Sequence, residues 1–367
     1  MNPFNPNFGK VPQLFLDRNQ IVNEYISELD SNLDSPLQTS VIYGVRGSGK
    51  TSLLTDISNQ LRQKDHWIVI DLTTNQDLIP TLTYNLYQEA TSKFKQLIGK
   101  LKSIKVSGVE FQLKNDVPQS IQYQLMLKQI LSQLAEKQIK VLVTLDEVKA
   151  TKEVREFASL YQLLIRENLS IALIMTGLPE NISELQNNSV LTFLLRSNRI
   201  ELSPLSHEAV IKAFAEKFNE GNRQAANPIL HRLTLLTRGY AYAFQLLGYL
   251  VWKNSAAGDV IDDQLIDRLL PEYQLALSRN AYTKIYQDLS YQDREFVRAM
   301  ANSADDKVKM KYIGEQMEKP SNYIANYRQR LLDSQLIRVA GYGYVSFTLP
   351  LFKDFVQWYA QYDDAGF

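Results

Sequence analysis

Cysteine is absent from the chain, which excludes disulfide scaffolds, thiolate zinc sites, iron–sulfur clusters and cysteine nucleophiles together. Histidine is nearly as scarce: His66, His207 and His231 are the only three, too scattered for a histidine-rich metal site. Neither sign of charge is in excess, with 40 Lys+Arg against 40 Asp+Glu. A surface that coats nucleic acid or anionic lipid throughout is therefore excluded, and any such contact has to be local. The most apolar stretch, Phe244 to Trp252, is about half the roughly 20 residues of a membrane-spanning helix. The start, Met1-Asn2-Pro3-Phe4-Asn5-Pro6, is polar and broken by proline where a secretory leader needs a basic start and an apolar run. The expectation is a cytoplasmic protein with no membrane partner.

What the chain has is length and balance. Its 367 residues, 45% hydrophobic and 22% charged, describe a globular protein of two or three domains at about 100–200 residues each. The first half alternates strand-like and helix-like segments, the pattern of a parallel α/β sheet. Ser40 to Tyr43, Trp67 to Leu72, Lys140 to Leu145 and Ile171 to Met175 are short runs rich in Val and Ile, as strands buried on both faces should be. Helical spacing over Ser120 to Lys137 puts Leu127, Ile130, Leu131 and Leu134 on one face, and a second helix is predicted over Glu153 to Arg166. Ile104 to Phe111 alternates around Ser107-Gly108, the pattern of a projecting hairpin. After about Glu201 the strand signals stop. Ser206 is placed to cap a helix carrying Val210, Phe214 and Phe218, and Ser290 with Asp293 to open one carrying Phe296, Val297 and Met300. Helices over Lys309 to Met317 and Ser321 to Ser334 follow, and Leu336 to Phe347 reads as a hairpin with a glycine-bounded tip. Three helices and a hairpin predict a winged helix-turn-helix.

Gly44-Val45-Arg46-Gly47-Ser48-Gly49-Lys50-Thr51 fits G-x-x-x-x-G-K-[ST] at every fixed position. It follows a predicted strand and opens a predicted helix carrying Leu53, Leu54, Ile57 and Leu61. That order aims backbone N–H groups and a helix dipole at a polyphosphate. Gly47 and Gly49 let the main chain wrap a β-phosphate, Lys50 reaches the β and γ oxygens, and Thr51 ligates Mg²⁺; Ser52 completes the stretch. Hydrolysis needs an acidic strand end as well. Val141-Leu142-Val143-Thr144-Leu145-Asp146-Glu147 supplies it: Asp146 to hold Mg²⁺ through its water shell, Glu147 to polarise the attacking water. A glutamate directly after the metal-holding aspartate marks water-activating rather than kinase chemistry. Ile171 to Pro179 is another buried strand ending in a polar residue, and Thr176 is placed to sit beside the γ-phosphate between the two motifs.

On these residues the chain resembles the AAA+ ATPases, most closely those grouped with the archaeal origin-recognition proteins and the STAND signalling ATPases. The resemblance implies a five-stranded parallel core (1–200), an α-helical lid (201–280), and a C-terminal winged helix (281–367), with ATP and Mg²⁺ as cofactors and nucleotide between core and lid. It further implies that Arg18, in Leu16-Asp17-Arg18, lies near the adenine. An arginine finger acting on a neighbouring copy of a homo-oligomer is implied at Arg196, with Arg199 second. The lid window Thr237-Arg238-Gly239-Tyr240-Ala241-Tyr242 has Tyr242 and Phe244 where the origin-recognition pattern carries an arginine.

Between Lys307 and Val345 seven basic residues stand against three acidic ones. The predicted third helix of the winged part offers Ser321, Asn322, Asn326, Gln329 and Arg330 on its polar side, donors and acceptors suited to base edges and phosphates. The expected partner is double-stranded DNA, contacted through Lys311, Arg328 and Arg330, with Tyr342 at the wing tip. The alternative is a STAND-like switch whose winged helix serves protein contacts or oligomerisation.

Overall fold

The computed structural model describes residues 1–7, 18–31, 33–100, 119–187 and 192–363, and its contacts divide the chain into two compact units. One holds Ile21–Tyr43 and Leu53–Glu201; the other holds Met1–Gln20, Gly44–Ser52 and Leu202–Phe367. These units cut the chain differently from boundaries at 200 and 280, because residues 1–20 and the glycine-rich loop group with the C-terminal half.

The sheet unit alternates as its sequence predicts: α1 (Asn19–Ser31), β1 (Thr39–Tyr43), α2 (Lys50–Arg62), β2 (Trp67–Thr73), α3 (Leu78–Lys100), α4 (Gln119–Glu136), β3 (Lys140–Asp146), α5 (Lys152–Arg166), β4 (Ile171–Gly177), α6 (Pro179–Asn187) and β5 (Asn198–Glu201). The five strands are parallel in the order β2-β3-β4-β1-β5, so the fold is α/β with a five-stranded parallel sheet. Every residue of β4 is buried, as is the apolar interior of β3. Leu127, Ile130, Leu131 and Leu134 of α4 and Val154, Phe157, Ala158 and Tyr161 of α5 close over the sheet as one core. The predicted hairpin at Ile104 to Phe111 lies outside the described residues.

The second unit continues with α7 (His207–Glu220), β6 (Gln224–Ala225), α8 (Asn227–Thr237), α9 (Ala241–Lys253), β7 (Val260–Ile261), α10 (Asp263–Leu277), α11 (Thr283–Asp288) and α12 (Tyr291–Ala301). It closes with β8 (Val308–Lys309), α13 (Met310–Met317), α14 (Ser321–Asp333), β9 (Ile337–Val339), β10 (Tyr344–Phe347) and α15 (Phe352–Asp363). The expectation that strands stop after Glu201 is corrected: β6 and β7 form a short parallel pair, too brief to show a period. The predicted caps form, with Ser206 Oγ accepting from the Ala209 N–H at 3.2 Å and Ser290 Oγ from the Asp293 N–H at 3.3 Å. β9 and β10 are antiparallel, and β8 pairs with the far side of β10. A single core runs from Phe4 to Val356.

Phe4 anchors the N-terminal segment in that core at 2% exposure. Its ring lies 5.6–5.7 Å from Phe214, Phe218 and Phe244, and Asn5 N–H donates to Gln245 Oε1 at 2.8 Å. Gly248 makes the space: a Cβ there would come within 2.3 Å of the Phe4 ring. A glycine inside a helix, ordinarily unfavourable by about 1 kcal/mol, is thus a packing requirement of the strap.

Candidate functional site

The glycine-rich loop leaves β1 at Tyr43 and enters α2 at Lys50. Gly47 (φ 77°) and Gly49 (φ 97°) occupy backbone regions that side chains disfavour, so the loop turns at one of the motif's fixed glycines, Gly49, and at Gly47, a glycine in one of its variable positions. Ser48 N–H donates to Val45 O at 3.2 Å, closing the turn. Lys50, 8% exposed, donates from Nζ to Gly44 O at 2.8 Å and Val45 O at 2.9 Å. Its amine is therefore held against the loop rather than in solvent. Ser48 Oγ is buried without a hydrogen-bond partner, and an orphaned buried hydroxyl is costly unless something hydrogen-bonds it. The positive end of the α2 dipole lies where Lys50, Thr51 and Ser52 begin the helix. Glycine turns, a buried ammonium, an orphaned hydroxyl and a helix start together fit a polyphosphate.

The loop's other face is held by the start of α9. Tyr240 Oη donates to Arg46 O at 2.7 Å, and Tyr242 N–H donates to Gly47 O at 3.1 Å. Tyr240 is 4% exposed, and burial pushes its hydroxyl well above its ordinary pKa, so it stays a donor. Phe244, the other aromatic at the expected arginine position, packs in the core against Phe4 and Phe214. The sequence window flagged Tyr242 but not the contact that Tyr240 makes. The available signal was Gly239, whose φ of 74° turns the chain so that Tyr240 stands at the N-cap of α9.

In the sheet unit, Leu145 of β3 stands opposite Met175 of β4, so Asp146 and Thr176 end side by side. The buried Thr176 hydroxyl donates to Asp146 Oδ1 and accepts from the Glu147 N–H at 3.1 Å. Glu147 N–H also reaches Asp146 Oδ1 at 3.1 Å. Glu147 has a φ of 53° and is exposed, whereas Asp146 is half-buried and tied to the threonine. The two adjacent acids are thus in unlike environments. Thr176 is a hydrogen-bonding bridge between them, more engaged than a lone polar residue at a strand end.

Arg18 is 8% exposed and donates to Ser203 O at 2.8 Å. Arg196, closing the short 3-10 turn Thr192–Arg196, and Arg199 on β5 are exposed. In the C-terminal part, Arg330 pairs with the buried Asp293 at 2.7 Å and Lys311 with Glu315 at 3.8 Å, while Arg328 is half-buried. Asn322, Asn326 and Gln329 are exposed on α14, and Tyr342 between β9 and β10 is fully so.

Two family models match the chain. One, described as an ATPase domain predominantly from Archaea, covers residues 15–228, and a domain of unknown function (DUF8462) covers residues 279–356. Among solved structures, the Walker-type ATPase of Pyrococcus abyssi is 17% identical with a TM-score of 0.61, covering 91% of this chain and 95% of its own. The ORC2 protein of Aeropyrum pernix, solved in ADPNP–ADP complexes, is 15% identical with a TM-score of 0.57, covering 95% and 94%. Comparison with curated proteins gave no match. At these identities the structural likeness speaks for the fold, and the α/β fold with a five-stranded parallel sheet is the expected one. Among the described residues no helix is long and apolar enough to cross a membrane.

Proposed function

The chain belongs to the family of ATPase domains predominantly from Archaea, which spans residues 15–228, and is an ATPase; from that premise we propose that nucleotide state governs a C-terminal winged helix (281–367) that engages duplex DNA. In this reading residues 1–200 form the ATPase core and 201–280 the lid. Gly44, Val45, Arg46, Gly47, Ser48, Gly49, Lys50, Thr51 and Ser52 hold the phosphates of ATP, with Arg18 toward the base. Thr51 and Asp146 hold Mg²⁺, which when bound neutralises charge on the phosphate oxygens. Lys50 stabilises charge on the same oxygens. Glu147 orients the water and takes its proton. Thr176 holds the two acids in register, and Arg196 reaches a neighbouring copy in a homo-oligomer.

The observation that carries the hydrolytic part is the unlike setting of the two acids. A half-buried, hydrogen-bonded Asp146 suits a fixed ligand, and an exposed Glu147 on a left-handed backbone suits a base that meets water. Replacing Glu147 by Gln keeps shape and removes the base. Nucleotide affinity should stay within about twofold while phosphate release falls about 100-fold or more; undiminished turnover would give the proton to another group.

The DNA part is supported by the exposed amides of α14 and by Tyr342. A duplex should shift in an ATP-dependent, salt-sensitive manner, and the shift should be lost when Lys311, Arg328 and Arg330 are changed to Ala. No duplex binding at low salt refutes it. One observation favours the second reading, a STAND-like switch acting through protein contacts: Arg330 is already paired with the buried Asp293, which draws it away from phosphate. An ATP-dependent change of oligomeric state without DNA affinity would decide for that reading.

A further inference from the structure

The start of α9 holds no arginine, yet it is bonded to the glycine-rich loop twice, both times through main-chain carbonyls. In a trans peptide the C=O of one residue and the N–H of the next point in opposite directions. The Tyr240 hydroxyl on Arg46 O therefore fixes where the Gly47 N–H points, away from the tyrosine. The Tyr242 N–H on Gly47 O does the same for the next peptide. Phosphate-binding loops work through their N–H groups, so Tyr240 and Tyr242 grip the loop by the side that a phosphate does not use. The fit is close: a Cβ on Gly47 would lie 2.3 Å from Tyr240 Oη and 3.1 Å from Tyr242 Cβ. Any change in the turn at Gly47 must move the tyrosines or break their bonds.

The grip continues away from the loop. The Tyr240 and Tyr242 rings meet edge to face at 6.1 Å, and Tyr242 Oη accepts from Asn280 Nδ2 at 2.8 Å. Asn280 lies in the single π-helical turn Ser278–Tyr282 that follows α10. Two residues on, the buried Tyr282 packs edge to face on Phe352 at 5.2 Å, at the start of α15. Single π turns of this kind frequently mark functional positions.

We propose that Tyr240 and Tyr242 are the nucleotide-sensing element of the second unit: they read the phosphate loop through its carbonyls and pass its state through Asn280 to the turn that leads into the C-terminal segment. Tyr240 is a positioning residue that acts through the Gly47 peptide and needs no contact with phosphate. Sensing of this kind follows loop shape rather than phosphate charge, which is what a lid with tyrosines in place of an arginine can do. The proposal rests on the nucleotide-binding reading of the loop.

The test pairs nucleotide affinity with hydrogen exchange. A fluorescent ATP analogue is titrated into the wild type, Tyr240→Phe and Asn280→Ala, and amide exchange of α9 and residues 278–282 is followed with and without ATP. In the wild type, ATP should raise protection in both segments. Tyr240→Phe, which keeps the ring, should weaken ATP binding about three- to tenfold, the range of one lost hydrogen bond, and remove the ATP-dependent protection at saturating ATP. Asn280→Ala is on the surface and leaves both loop bonds in place. It should bind ATP as the wild type does, keep the response in α9 and lose it at 278–282. Unchanged exchange in wild-type α9 on ATP binding, or an undiminished response in either variant, overturns the proposal while leaving ATP binding intact. Failure of the wild type to bind the analogue overturns the nucleotide-binding reading itself, and this inference with it.

Discussion

The phosphate loop and the acidic strand end are held in place by opposite means. Asp146, Glu147 and Thr176 are set by parallel register: neighbouring strands end together, and three hydrogen bonds among three residues complete the arrangement. The loop is held through its main-chain carbonyls. It depends on Lys50 folded onto two carbonyls and on tyrosines at the start of α9, with Tyr240 194 positions along the chain from Arg46. A site built into a buried sheet resists adjustment, because interiors are close-packed. A loop held by a distant helix responds to that helix. On the proposed assignment of these residues, the chemistry is fixed locally and the binding of phosphate is left open to control.

The sharpest way to break this contrast is Lys50→Ala, which removes both the internal staple of the loop and its cation. ATP affinity should fall about 1,000-fold, or about 4 kcal/mol, measured by titration of a fluorescent nucleotide. Thermal unfolding in the absence of nucleotide should move little, since the lysine closes no core. Retained affinity would mean that the loop amides and helix start suffice alone.

Much of this was legible in the residues, and the illegible parts share a cause. β3 and β4 are buried on both faces, so Val141 to Leu145 and Ile171 to Met175 are almost continuously apolar, and the glycine pattern at 44–51 is set by backbone conformations that only its chemistry requires. β5 has no such signal: as an edge strand with half-exposed Asn198, exposed Arg199 and exposed Glu201 it reads as a loop. β8 pairs only two residues and carries no period. Phe4 sits in a proline-broken segment whose one strong feature is its fit against Gly248, 244 positions away, and neither residue announces the other. The Tyr240 contact fails to show for the same reason: local sequence encodes the turn at Gly239 but not what the turn presents to Arg46.

Phe4→Ala tests whether the loop is truly held from a distance. Emptying a buried phenylalanine site costs about 3–5 kcal/mol, and a loss of that size is expected in urea unfolding. If α9 supports the loop, ATP affinity should fall with it, by a few fold, while amide protection in β3 and β4 stays as in the wild type. Destabilisation without any change in ATP affinity would separate the loop from the helix core and weaken the comparison on its loop side.

Thr176→Val probes the other side with the smallest effect. Valine keeps the β-branching of threonine and removes the hydroxyl, so the strand conformation survives. Asp146 loses a donor, and Glu147 N–H keeps its bond to Asp146 Oδ1, so no buried group is left wholly unpartnered. Because the acid end is locally built, the loss should appear in turnover alone: kcat lower by about tenfold, or about 1.4 kcal/mol, with nucleotide affinity and the exchange of α9 unchanged. A Thr176→Ser variant restores the hydroxyl and should recover most of the rate. If Thr176→Val instead weakened ATP binding as strongly as it slowed hydrolysis, the acidic end and the loop would form one adjustable site, and the division of labour between a fixed sheet and a movable loop would not hold.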